Sequence, residues 1–162
     1  MLKSLLSKPI ERMLDDAVQS ELYASNLYKS VANQLQRIGY FGAAKYFLGE
    51  SVDELAHYQR HADYRNDRGS IAAIPAIDAI GDSVTSLKDA IEIAYETELQ
   101  LGKDYERWYK GCADDVTTQQ FLLFFLEEQR TSIGKYGDLL ARLARAGTNE
   151  AALFSIDEDL AA

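Results

Sequence analysis

Four stretches of this chain place an apolar side chain every three or four residues, and each of these stripes is interrupted near its middle by a carboxylate, an imidazole or an amide. The first runs Ile10, Leu14, Ala17, Glu21, Ala24, Tyr28, Val31, Leu35. The second runs Ala43, Phe47, Glu50, Glu54, His57, His61, Tyr64. The third is Ile91, Tyr95, Glu98, Leu101, Tyr105, Trp108. The fourth is Leu122, Phe125, Gln129, Ser132, Tyr136, Leu139, Leu143, with Glu128 beside Gln129. Steps of three and four put a whole stripe on one face of one helix. The pattern therefore predicts an all-α fold of four long helices packed through those faces. A lone carboxylate in such a core costs several kcal/mol unless it is paired or bound to a cation.

A chain of 162 residues with 47% hydrophobic content is long enough for one core and too apolar for disorder. We expect a single domain over 1–162. Two prolines in the whole chain fit a helical fold. The net charge of −9 disfavours a nucleic-acid binder, which needs a basic patch to neutralise phosphates. The same acidity favours cations. The single cysteine, Cys112, excludes an internal disulfide and a cysteine-rich metal site, and it reads as a buried thiol. No apolar run approaches the ~20 residues of a membrane span. The opening Met1–Leu6 is too short for a signal segment, so the cytoplasm is the expected compartment.

Start and stop signals divide the chain further. Ser7-Lys8-Pro9 opens the first helix and Gly39 closes it; the second runs from about Tyr40 to Arg68 and stops at Gly69. So short a junction makes these two antiparallel neighbours. Residues Gly69 to Thr85 carry no helical period. Their extended reach of ~56 Å exceeds the ~42 Å of a 28-residue helix, so they can cross the whole bundle and leave the second and third helices parallel. This crossover is rich in Ile71, Ile74, Ile77 and Ile80, which predicts packing against another subunit. Ser86 with Asp89 predicts a capping box for the third helix, which ends near Gly111. Asp114 and Asp115 form the turn into the fourth helix, which ends at Gly147. The bundle so defined covers about 8–146. A short fifth helix follows over about 149–160, and its Ala151, Leu153, Phe154 and Ile156 have no evident place in a monomer.

Glu54-Leu55-Ala56-His57 sets a carboxylate and an imidazole one turn apart on a core-facing stripe, the spacing at which both can hold one ion. Three other stripes offer Glu21, Glu98 and Gln129 at similar height. No Lys or Arg lies on the stripes there to balance three carboxylates, so a metal site is the expected role. Oxygen ligands with one imidazole suit iron or manganese better than copper or structural zinc. His61 reads as a partly exposed histidine at the end of its stripe, and Glu50 as an inner-surface acid.

At Glu21-Leu22-Tyr23-Ala24-Ser25-Asn26-Leu27-Tyr28, Asp53-Glu54-Leu55-Ala56-His57, Tyr95-Glu96-Thr97-Glu98 and Glu128-Gln129 the chain resembles the ferritin family over nearly its whole length. The resemblance implies a ferritin-like four-helix bundle with the long crossover between helices two and three, assembled as a hollow 24-subunit homo-oligomeric cage. It also implies ferroxidase activity: Fe²⁺ oxidised by O₂ or H₂O₂ at an intrasubunit di-iron centre and stored as Fe³⁺ mineral. On it, Glu21 and His57 hold the first iron, Glu54 bridges and Glu98 holds the second. Gln129 bonds a metal-bound water, and Tyr28 stands behind the ligands. Glu50, Asp53 and Glu128 are secondary iron positions. Thr131 stands where a bacterioferritin has its second His, and Leu55 where one has its haem-ligating Met, so no haem is expected. Thr131 and Ser132 also replace the carboxylates of a third iron site, and no tight third site is expected. The rival readings are a DNA-protecting mini-ferritin, a rubrerythrin-like di-iron peroxidase or oxidase, and a storage subunit without catalysis. The fifth helix and the lack of a basic tail oppose the first. The lack of rubredoxin-type cysteines opposes the second, and the complete ligand set opposes the third.

Overall fold

The computed structural model describes residues 3–162, and helices account for most of them. Helix α1 spans Lys8–Ile38, α2 Phe41–Asp67, α3 Leu87–Gly111, α4 Val116–Ala146 and α5 Glu150–Ala161. The helix ends follow their local chemistry. Ser7 caps α1 by accepting from the Ile10 N–H, and Gly39, at φ 93°, turns the chain out in the left-handed region that favours glycine. Asp115 caps α4 through the Thr118 N–H, and Asn149 caps α5 through the Ala152 N–H. At α3 the Asp89 N–H donates to Ser86 Oγ at 3.1 Å. The return bond reaches one residue further back than a capping box does: Asp89 Oδ2 accepts from the Thr85 N–H at 2.9 Å and from its hydroxyl at 2.7 Å.

Contacts between helices fix their directions. Arg65 meets Asp15 and Ser25 meets Ser51, so α1 and α2 are antiparallel. Tyr28 meets Glu98 and Tyr105 meets Glu21, so α1 and α3 are antiparallel too. Hence α2 and α3 run parallel, joined by a crossover without helix or strand. Tyr136 on Glu50 and Thr118 on Tyr64 set α4 antiparallel to α2. Every member of the first stripe is buried, Glu21 included. Cys112 is buried directly after α3.

One expectation is corrected here. The fifth helix has a place within its own chain, because Ile156 and Asp157 are buried against the start of α2. Asp157 accepts from Gly42 N–H at 3.1 Å and Ala43 N–H at 2.7 Å. It thus serves a helix start that its own cap residue, Tyr40, leaves without a side-chain bond. In the crossover, Ile71 and Ile74 are exposed, whereas Ile80 packs on the core and Ile77 lines a groove between α1 and α3.

Candidate metal centre

The polar interruptions of the four stripes meet at mid-height because each helix turns its apolar face inward at the same level. Glu21, Glu54, Glu98 and Gln129 are buried there, and His57 is half-buried. One ligand atom from each of Glu21, Glu54 and His57 can be chosen so that all three lie within 4.8 Å of one another. His57 Nδ1 is 2.8 Å from Glu54 Oε2 and 3.4 Å from Glu21 Oε2. Glu98 faces them from α3 and accepts a hydrogen bond from the Tyr28 hydroxyl.

So many carboxylates in one dry space distort one another's protonation. Burial, followed by the charge of Glu21, pushes the Glu54 carboxyl well above its ordinary range. Burial also lifts Glu98, to about 7. Glu21 goes the other way: burial would raise it, but His57 and Glu54 beside it, with a smaller contribution from His61, together keep it low. For His57 burial alone would favour the neutral ring, yet the neighbouring carboxylates of Glu21 and Glu54 push it up to about 10. Protons on His57 and Glu54 therefore stand in for a cation. Glu21 Oε2 and Gln129 Oε1 are buried without a hydrogen-bond partner. The buried guanidinium of Arg65 is engaged elsewhere, by Asp15, Ser70 and the Glu11 carbonyl. An excess of carboxylate oxygen, one imidazole and two unpartnered acceptors fit a hard divalent cation.

The secondary positions are looser. Glu50 is half-buried and accepts from the Tyr136 hydroxyl at 2.8 Å, with Lys135 Nζ at 3.5 Å. Asp53 is exposed and Glu128 half-buried. The Thr131 hydroxyl donates to the Glu127 carbonyl of its own helix at 3.0 Å, so it is turned to backbone.

His61 departs from its sequence reading. It is fully buried, its ring stacks on Phe125 at 4.4 Å, and burial pulls its pKa down to about 4. Its Nε2 lies 2.9 Å from the Tyr105 hydroxyl, which in turn donates to Glu21 Oε1. Sequence reasoning missed Tyr105 as part of the centre. A signal was present: Tyr105 follows Glu98 by the same seven residues that separate Tyr28 from Glu21.

Residues 11–146 match the family model described as a ferritin-like domain. The chain belongs to the ferritin family. It is 31% identical over 164 aligned residues to a probable bacterial non-heme ferritin-like protein of Haemophilus influenzae, covering 96% of both chains. It is 33% identical to a ferritin of Pacifastacus leniusculus, covering 91% of this chain and 84% of that one. An open pore ferritin from Archaeoglobus fulgidus superimposes with a TM-score of 0.93 at 24% identity, covering 96% of this chain and 98% of that one, which shows the ferritin fold. Consistent with the sequence, no helix among the described residues is long and apolar enough to cross a membrane.

Proposed function

We propose that this ferritin stores iron and is a ferroxidase, taking up two Fe²⁺ per chain at the buried centre, where O₂ oxidises them before Fe³⁺ passes to mineral inside a hollow 24-subunit cage in the cytoplasm. The observation that carries the reading is the convergence of Glu21, Glu54 and His57 within 4.8 Å beside buried Glu98, in a ferritin fold. Fe²⁺ is the substrate and supplies the electrons that O₂ accepts. The chain supplies charge neutralisation and spacing.

In this reading Glu21 and His57 hold one Fe²⁺, Glu98 holds the other, and Glu54, between them, bridges. The arriving cations displace the protons on His57 and Glu54, so uptake releases protons. Tyr28 keeps Glu98 aimed inward, and the unpartnered Oε1 of Gln129 accepts from a water on an ion. Glu50, tethered by Tyr136 toward one side of the centre, is placed to receive Fe³⁺ as it leaves. Exposed Leu48, Val52 and Leu55 on α2, with Ile71 and Ile74 of the crossover, supply an apolar surface for assembly.

Stopped-flow oxidation of two Fe²⁺ per chain tests the activity. The apo protein should oxidise them far faster than free solution does, and Glu54→Ala should abolish the fast phase while leaving helicity intact. Fast oxidation persisting in that variant would refute the assignment.

A further inference from the structure

The two outer carboxylates of the centre are gripped in the same way, each from the opposite helix. Tyr28 on α1 donates to Glu98 on α3, and Tyr105 on α3 donates to Glu21 on α1. Because α1 and α3 are antiparallel and both Glu–Tyr spacings equal seven residues, the two grips are reciprocal across the helix pair. We infer that Tyr105, anchored by His61, is a positioning residue of the metal centre that fixes Glu21 so that the carboxylate presents only Oε2 to a divalent cation. This rests on the di-metal reading above.

The hydrogen-bond directions follow from the donors available. An ionised carboxylate only accepts, so the single phenolic proton of Tyr105 goes to Glu21 Oε1. The Tyr105 oxygen is then left to accept, and His61 Nε2 at 2.9 Å must donate to it. His61 is therefore neutral with its proton on Nε2, in keeping with burial that disfavours its charged form. The matching consequence is seen at the other ring nitrogen: His61 Nδ1 is buried without a partner.

Packing makes the grip stiff. Tyr105 stacks on Phe125 at 4.9 Å and meets Trp108 edge-on at 5.0 Å. His61 lies against the same Phe125 and meets Phe121 edge-on at 5.2 Å. Neither ring can swing away from Glu21 without opening this cluster. With Oε1 spent, Oε2 is the atom left facing His57 Nδ1 at 3.4 Å, without a partner of its own. Among the described residues no tyrosine is bonded to Glu54, whose Oε2 lies 2.8 Å from His57 Nδ1.

Crystals soaked in Co²⁺ and measured at the cobalt absorption edge test this without turnover, with calorimetry giving affinities in solution. The unaltered chain should show cobalt at both positions. Tyr105→Phe should empty the position beside Glu21 and His57, with affinity there falling about 10-fold to 100-fold as for other lost outer-shell partners, and should retain the position beside Glu98. Tyr28→Phe should do the reverse. His61→Leu should reproduce the Tyr105→Phe loss, and His61→Gln, which can also donate to Tyr105, should restore binding. That pair decides the matter even if Tyr105→Phe does not fold. Equal loss at both positions in Tyr105→Phe, no loss at either, or identical behaviour of His61→Leu and His61→Gln would overturn the inference. Absence of cobalt from both positions of the unaltered chain would instead overturn the di-metal reading beneath it.

Discussion

A histidine sealed among aromatic rings carries its own pH dependence. Burial holds His61 at about 4 against an ordinary 6.5. Between those values the unfolded chain binds a proton that the native chain does not, so stability falls as pH drops through that window, by roughly 3 kcal/mol in all. Replacing His61 by Leu should flatten this acid limb in urea titrations between pH 6.5 and 4; an unchanged slope would show that His61 already titrates when folded. At the candidate metal centre the shifts run the other way. His57 is pushed up to about 10 and Glu54 well above its ordinary range, so both hold protons that a cation must displace. Divalent metal binding should tighten as pH rises, and calorimetry in buffers of different ionisation enthalpy should show proton release. Glu21, Glu54, His57 and Glu98 were legible in the sequence because each interrupts an apolar stripe. The burial of His61 was not, because periodicity names a face and cannot tell that Phe121 and Phe125 of a distant helix close over it.

The elements divide along the same line. Helix ends were readable wherever the signal is local, as at Ser7, Gly39, Ser86 and Gly147. The docking of α5 was not readable, because its partner lies more than a hundred residues away and Asp157 looks like any polar residue until the fold sets it on the start of α2. Truncating it by Asp157→Ala should cost about 1–2 kcal/mol, the loss expected for a cap that serves two buried N–H groups. Gly42 is tighter still: a Cβ there would sit 2.0 Å from the Asp157 carbonyl oxygen. Gly42→Ala should therefore push α5 off the bundle. Amide hydrogen exchange would show it as lost protection confined to Glu150–Ala161, and protection retained there would mean that α2 shifts instead.

At the scale of the whole molecule several of the exposed apolar side chains lie on α2 and the crossover. Ile71 and Ile74 are about three-quarters exposed, with Leu48, Val52 and Leu55 open on α2. Carboxylates at Ile71 and Ile74 should leave helicity intact and yield dimers or monomers in sedimentation; full-sized particles would place the assembly surface elsewhere. Ile77, grouped with them from sequence, is set apart by its position in the groove between α1 and α3. The proposed centre makes the sharper demand: on that reading Glu21, Glu54, His57 and Glu98 supply two positions, while Asp53 is exposed and Thr131 is bonded to backbone, so no third is expected. An anaerobic Fe²⁺ titration of the apo protein reads this directly. Tight binding should saturate near two ions per chain and vanish in Glu54→Ala; saturation near three, or no saturable binding at all, would contradict a two-ion centre built from these residues.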